Sequence, residues 1–493
     1  MSNSLITNYL RKHGPSRGFD VKEHLKGLGK SDEAARQQIS RATGEICKLS
    51  NILPKRETFL FLKKDYAGIK FQESLSKALF NSGSAYGTAL RGLSLKGGTV
   101  SLLRFAAYSG APIDNRRNKL RHDVIVNKLI SVKLIRQLEF GGQEYISLEE
   151  NGLTSDQIAN FETENVVISM LATWVRRMNL GSFDKVESCL SLKSPNCGGY
   201  AWDIVAPSYI SGLASFEKEK KILRPGFCVA DVCLGKILNE DDIKPIITKF
   251  ESMRSLQKLG NLFPVIVHEG MDSKAFKMIR SKGFVVARVD DIFGRDASHL
   301  LNSLRGVFKN FAAAIVKDPE KVFDIFDRLV KLEGAALNLR GPLFEFIIGH
   351  MYLKEGHIIN MREKLSFLNE KVEVDVNAKG KNQNIFIECK GLAPGNMVSV
   401  KEIDYWVEKQ IPIIRKWLQK GRQDLGIHKE KEAFRFYYSG VFSDEVRKYC
   451  NSIEKTVKKY SIGFYDYNDI DKRLKLLNEK SLREILKEQF FEK

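Results

Sequence analysis

Two short stretches of this chain alternate apolar and polar residues at the spacing of a β-strand, and a polar segment joins them. Residues 372–378 and 384–389 are β-rich, and Lys379-Gly-Lys-Asn-Gln383 between them predicts a hairpin turn. Alternation puts Glu388 and Lys390 on one face and Cys389 on the other, so Asp375 can meet both from the partner strand. Upstream, residues 343–353 carry their apolar side chains on a helical period and end near Gly356. Downstream, Ile403, Trp406, Val407, Ile411, Ile414 and Leu418 form a helical stripe over 400–419, and Pro412 inside it predicts a kink or a break. A strand at 433–438, a helix at 446–460 and a strand at 461–466 follow. The order is that of an α/β sandwich.

The middle of the chain repeats this order. A helix at 166–178 leads to a strand with an aspartate (Tyr200-Ala-Trp-Asp203-Ile-Val) and then to a strand at 227–235. A helix at 243–259, a strand at 263–267, a further helix and a strand at 283–288 come next. Gly283-Phe284 leading to Asp291-Ile292 parallels Gly463-Phe464 leading to Asp469-Ile470. Two copies of one fold are expected.

The first third of the chain reads differently. A helix begins at 5–10 and stops near Gly14-Pro15, a second spans 21–28, and a third over 31–43 starts with Ser31 as its N-cap. The apolar run 59–62 follows Pro54-Lys-Arg56. A similar unit is expected between 98 and 148. It has a helix at 100–108, the cations Arg116, Arg117, Lys119 and Arg121, a helix at 123–131, and a hairpin over 135–146 turning at Gly141-Gly142. Residues 65–97, with their Gly and Ser clusters, read as a linker with helical parts.

Composition sets the frame. At 493 residues and about 150 residues per domain, three or four domains are expected. The chain is 43% hydrophobic with no run of about 18 apolar residues, so a soluble protein without a membrane partner is expected. No charged n-region followed by an apolar segment opens it, which predicts no export. The seven cysteines are odd in number and form no C-x-x-C, which implies neither a disulfide framework nor a zinc site and fits a reducing cytoplasm. Cys189, Cys197, Cys228 and Cys233 lack an accompanying histidine, so buried thiols are the simpler reading. The net charge is +19, from 79 basic against 60 acidic residues. Such a surplus favours a polyanion, whether DNA or a ribosome. No glycine cluster continues into a phosphate-loop Lys-Ser/Thr, which argues against an NTPase.

The chemistry rests on Asp375, Glu388 and Lys390. Mg²⁺ needs only one or two carboxylates and keeps several waters, and a nearby lysine can orient a water or neutralise developing charge. A bland alternative is a hairpin with charges on its solvated face. These residues, with Glu345 on the upstream helix, resemble the PD-(D/E)xK superfamily of restriction-endonuclease-like nucleases. Glu345 takes the place of its helix glutamate, Asp375 of its aspartate, and Glu388 and Lys390 of its E-x-K. Val374 stands where the pattern has proline. The resemblance covers about 313–493 and implies an endonuclease that cuts DNA with Mg²⁺ or Mn²⁺, with Asp375 and Glu388 as metal ligands.

In the middle copy Glu164, Asp203 and Asp231 match Glu345, Asp375 and Glu388, but Cys233 stands where Lys390 does. This copy is therefore expected to be a pseudo-nuclease that binds DNA or builds an interface, with Lys236 as the alternative source of the cation. Residues 1–64 resemble winged helix-turn-helix domains. That resemblance places Arg36, Gln37, Ser40 and Arg41 on an exposed recognition helix and Lys55 and Arg56 in a basic wing, for DNA contact. A protein-binding winged helix or a plain three-helix bundle is the alternative.

The expectation is therefore a multidomain α/β (α+β) chain, with N-terminal winged-helix domains before two tandem restriction-endonuclease-like αβα sandwiches. The expected boundaries are 1–64, 65–97, 98–153, 154–312 and 313–493. Bacterial restriction or phage defence is the implied setting, with a homodimer or a partner subunit supplying the second cut. A DNA-binding regulator with a vestigial nuclease fold, or a subunit of a repair or transposition nuclease, is the alternative.

Overall fold

Among the described residues, strands and helices alternate through a mixed α/β, multidomain chain built on several small sheets. The computed structural model describes residues 2–140, 143–148, 154–191, 193–217, 221–256, 259–310, 314, 319–330, 336–368, 370–380, 383–425 and 431–491. The chain forms two compact units. One comprises Met1–Leu138, Glu144–Leu153 and Val175–Val289, the other Glu139–Gln143, Thr154–Trp174 and Asp290–Lys493. No described helix is long and apolar enough to cross a membrane.

The first unit opens with helix α1 (Ser2–His13), strand β1 (Ser16–Arg17), helices α2 (Gly18–Gly27) and α3 (Asp32–Arg41), and strands β2 (Ile46–Leu49) and β3 (Phe59–Leu62). The sheet order is β1-β3-β2, antiparallel throughout. Ser31 begins α3 as its sequence predicts, accepting a hydrogen bond from the Ala34 amide. Ile6, Leu10, Val21, Leu25, Ile39 and Leu60 bury the inner faces of these elements.

The segment expected as a linker is instead part of a core. Helices α4 (Ile69–Ser82) and α5 (Ala85–Leu95) fill it. Phe71, Leu75, Leu79, Leu90 and Leu93 pack in one cluster with Phe59 before them and Leu129 and Ile146 after them. Apolar spacing of three and four residues drives this burial, and the Gly and Ser residues only turn the chain. Gly83 takes φ +64, and Ser84 caps α5. Strand β4 (Thr99–Ser101), helices α6 (Leu102–Tyr108) and α7 (His122–Ser131), and strands β5 (Arg136–Phe140) and β6 (Gln143–Ser147) follow, with sheet order β4-β6-β5. Counted from α5, this is the element order and sheet order of the first 62 residues, so an expected boundary at 98 cuts off its first helix. The expected turn at Gly141-Gly142 lies outside the described residues.

Helix α8 (Ser155–Arg177) precedes the larger sheet of the first unit. That sheet contains β7 (Glu187–Ser188), β8 (Ile204–Ser208), β9 (Gly226–Leu238), β10 (Leu262–Met271) and β11 (Val285–Arg288) in sequence order. The β7-β8 and β8-β9 pairs are antiparallel, and β9-β10 and β10-β11 are parallel. Helix α9 (Glu240–Arg254), between β9 and β10, starts with a capping box from Asn239 and Asp242.

In the second unit, helix α10 (Ala336–Lys354) leads to β12 (Ile358–Phe367), β13 (Glu370–Lys379), β14 (Gln383–Lys390), β15 (Lys431–Tyr438) and β16 (Ser461–Tyr465). These five strands are again in sequence order, with two antiparallel and then two parallel pairings. Sequence periodicity misses the first strand of each sheet. β7 has two residues, and β12 carries the polar run Met361-Arg-Glu-Lys364. Pro412 does not break the helical stripe after β14. The helical run continues from Val400 through Leu425, and the irregularity takes the form of one widened turn at Trp406–Gln410 just before the proline, which has no N–H to give to the ladder.

Candidate active site and its buried counterpart

Strands β13 and β14 pair from Lys379 with Asn384 up to Val376 with Ile387. The next step of that register sets Asp375 opposite Glu388, and there the pairing ends. Asp375 is held by the Cys389 amide, which donates to its Oδ2 at 2.7 Å. Lys390 Nζ donates to Glu388 Oε1 at 2.6 Å. Glu345, on α10, is close enough to Asp375 and Glu388 to add to their electrostatic field. The four residues expected from the sequence therefore meet.

Gly391 shows why they do. A Cβ there would lie 2.6 Å from Phe344 Cβ and 2.8 Å from the Arg340 carbonyl, so the end of β14 rests against α10 beside Glu345. Glu345 and Glu388 are buried, whereas Asp375 and Lys390 are half-buried. Burial and the neighbouring Glu388 and Glu345 push the Asp375 carboxyl well above its ordinary range. Glu388 is raised by burial, against the pull of Lys390. Burial works against the Lys390 ammonium, but Glu388 and Asp375 outweigh it and hold its pKa above the usual value.

Three further residues belong to this cluster and were missed in the sequence. Arg362, on β12, donates to Glu345 through Nε (2.8 Å) and Nη2 (3.3 Å), and its Nη1 is 3.7 Å from Glu162 Oε1. Its backbone is left-handed, with φ +49. Glu373, two residues before Asp375, is pushed up to about 7 by burial, with Glu345 and Glu162 adding to the shift and Arg362 opposing it. The i, i+2 spacing of Glu373 and Asp375 was the one signal in the sequence. Arg362 gave none, because its strand carries no apolar alternation.

Among the described residues, no group of three or more His, Cys, Asp or Glu side chains is arranged to hold a metal ion. The chemistry of the donors still suits a hard divalent cation. Two buried carboxyls held above their ordinary range, Asp375 in part by Glu388 and both in part by Glu345, are relieved by a +2 charge, and Mg²⁺ asks for no larger protein cage.

In the first unit, Asp203 precedes β8 and Asp231 lies on β9, and neither has any exposed surface. Asp203 Oδ2 accepts from the Val232 amide at 2.9 Å, the counterpart of the Asp375 and Cys389 bond. Here the resemblance to the other site stops. Arg104 donates to Asp203 Oδ1 at 3.3 Å, as does the Cys189 thiol at 3.3 Å, and the Tyr108 hydroxyl donates to Oδ2. Gly92 lets α5 press on the Tyr108 carbonyl, to which an added Cβ would come within 1.8 Å. Cys233 is buried beside them. Lys236 does not supply the missing cation, because its Nζ is 2.7 Å from Asp242 Oδ1 at the cap of α9. Lys249 supplies it.

Lys249 reaches in from α9. Its Nζ donates to Asp231 Oδ2 at 2.7 Å, to the Ala107 carbonyl at 2.8 Å and to the Ala201 carbonyl at 3.0 Å, and lies 3.6 Å from the Trp202 ring centroid. Burial lowers the pKa of Lys249, against Asp231, and raises Asp231 to about 6. Glu164, expected with Asp203 and Asp231, lies on the part of α8 that belongs to the other compact unit.

Arg36, Gln37, Ser40 and Arg41 are all exposed on α3. Arg36 pairs with Asp32 at 2.8 Å, one helical turn away. Lys55 and Arg56 are exposed in a short turn of left-handed backbone, with φ 55 and 57. All seven cysteines are free, and all but Cys47 are buried. Comparison of the chain with protein-family models, with curated proteins and with solved structures gave no match.

Proposed function

We propose that the second unit is a metal-dependent DNA endonuclease of the restriction-endonuclease-like class, and that the first unit holds the DNA. The observation that carries this reading is the meeting of Glu345, Asp375, Glu388 and Lys390 where the β13-β14 ladder ends, with two carboxylates charged against each other beside a lysine. Asp375 and Glu388 would hold Mg²⁺ or Mn²⁺. The ion, when bound, polarises the phosphate and makes its bound water more acidic. Lys390, held in place by Glu388, presents a cation toward the attacking water and the charge that develops on the phosphate. Arg362 fixes Glu345 with two hydrogen bonds.

The first site is read as non-catalytic. Its carboxylates have no exposed surface, and Lys249 and Arg104 already neutralise them. DNA contact falls to Arg36, Gln37, Ser40 and Arg41 on α3, with Lys55 and Arg56 alongside. The helix and strand order of the first 62 residues supports a winged helix there. A role in restriction or phage defence, in the cytoplasm and as a homodimer or with a partner subunit, extends this reading from the class of nuclease. Incubating the purified full chain with duplex and single-stranded DNA, in Mg²⁺, Mn²⁺ or chelator, tests it. Cutting that needs the metal supports it. DNA binding without cutting of any substrate would make the chain a DNA-binding regulator instead.

A further inference from the structure

Arg362 and Asp375 interrupt the β12-β13 ladder. Met361 pairs with Val376 and Glu363 with Val374, and the register sets Arg362 opposite Asp375 between these pairs without joining them. Asp375 is also where the β13-β14 pairing stops. The ladder therefore lapses on both sides of this aspartate. In the gap Arg362 takes its left-handed φ of +49, a conformation that a residue with a side chain rarely adopts within a strand. An irregularity of this kind beside a site re-aims a side chain.

Here the side chain is aimed at Glu345, and it occupies both carboxylate oxygens. Nε donates to Oε2 at 2.8 Å and Nη2 to Oε1 at 3.3 Å, while Nη1 lies 3.7 Å from Glu162 Oε1. The Phe308 ring centroid is 5.8 Å from the guanidinium carbon. Burial works against the guanidinium charge, but Glu345, Glu162 and Glu373 outweigh it. A guanidinium stays protonated and cannot make room for a metal by giving up its charge.

Phosphodiester hydrolysis runs with one divalent ion or with two held about 3.5–4 Å apart, and a second ion needs carboxylate oxygens beside the first. Beyond Asp375 and Glu388, the carboxylates of this cluster are Glu345, Glu373 and Glu162, and the charge of Arg362 lies among all three. We propose that Arg362 is a positioning residue that takes the place of a second divalent cation, keeps Glu345 out of the metal shell and limits the site to a single ion on Asp375 and Glu388. This rests on the reading of the second unit as a metal-dependent nuclease.

The test counts Mn²⁺ ions on the purified full chain, by titration calorimetry and by the electron paramagnetic resonance of the bound ion. Asp375→Asn/Glu388→Gln serves as the blank for ions held elsewhere. The parent should bind a single Mn²⁺ at this site. Arg362→Gln should bind two, with coupled spectra, because Glu345 is released, and Arg362→Gln/Glu345→Gln should return to one. Arg362→Lys, which keeps a cation in place, should stay at one. Cleavage should rise more steeply with Mg²⁺ concentration in Arg362→Gln than in the parent. Two ions on the parent overturn the proposal, whether or not any variant folds. A folded Arg362→Gln that binds one ion, as the parent does, also overturns it. Both outcomes leave the nuclease reading standing. A parent that binds no Mn²⁺ above the blank takes the metal out of the second unit, and the nuclease reading fails together with the proposal.

Discussion

Lys249 Nζ lies 2.7 Å from Asp231 Oδ2, and neither side chain has exposed surface. In the second unit, the corresponding sheet carries its lysine two residues after the glutamate, on the strand itself and half-buried. The same pairing of strands thus supports a sealed ion pair in one unit and an accessible one in the other.

The sealed pair sets a stability prediction. Removing one partner leaves a buried charge without compensation, at about 3–5 kcal/mol. Lys249→Met and Asp231→Asn should each lower the unfolding free energy of the first unit, read from urea denaturation, by that order, and the double variant should be less destabilised than the sum of the two. Additive losses in such a cycle would mean that the two groups do not act as a pair.

Lys390→Ala should reduce metal-dependent cleavage by at least about 10²-fold. The Lys249→Met/Asp231→Asn double variant should cut DNA as the parent does. Cleavage that survives the loss of Lys390 and disappears with the Asp231 pair would move the active site to the first unit.

Gly391→Ala forces a Cβ to within 2.6 Å of Phe344 Cβ. Overpacking of this kind costs about 1–3 kcal/mol, and the end of β14 must shift from α10 to relieve it. Cleavage should fall more steeply than stability, because Glu345 and Lys390 then separate. Assay and denaturation of the same preparation measure both effects.

Glu373 gives a pH dependence with a definite sign. Its pKa is raised on folding to about 7, so the native state binds its proton more tightly than the unfolded chain does. The stability it contributes is fully present below the ordinary carboxylate range and is lost as pH rises through about 7. Asp375 acts in the same direction. In chelator, the thermal midpoint of the second unit should fall from about pH 5 to about pH 8, and Glu373→Gln should flatten that fall. Mg²⁺ should raise the midpoint more at the higher pH, where the carboxylates are ionised. A midpoint that rises across this range in chelator would contradict the assignment.

Local order was legible where the chain's own period determines it. The alternation at 372–378 and 384–389 became β13 and β14, Ser31 became an N-cap, and the repeated element order became two sheets with the same strand directions. Spacing along one strand also brought Glu388 and Lys390 together. The 65–97 segment misled because glycine and serine mark turns as readily as linkers, while its apolar residues at helical spacing bury it.

What the sequence by itself determined is the D-x12-E-x-K pair of strands, the helix that bears Glu345 and the basic character of the whole chain. Only the tertiary structure decided which cations reach which carboxylates. Lys249 is 18 residues from Asp231, Arg104 is 99 from Asp203, and Arg362 and Glu345 lie on different elements. Strand and helix periods orient side chains over a few residues. Which distant side chain fills a buried charge's shell depends on how the elements pack, and that packing sealed one site with Lys249 and left Lys390 half-open in the other.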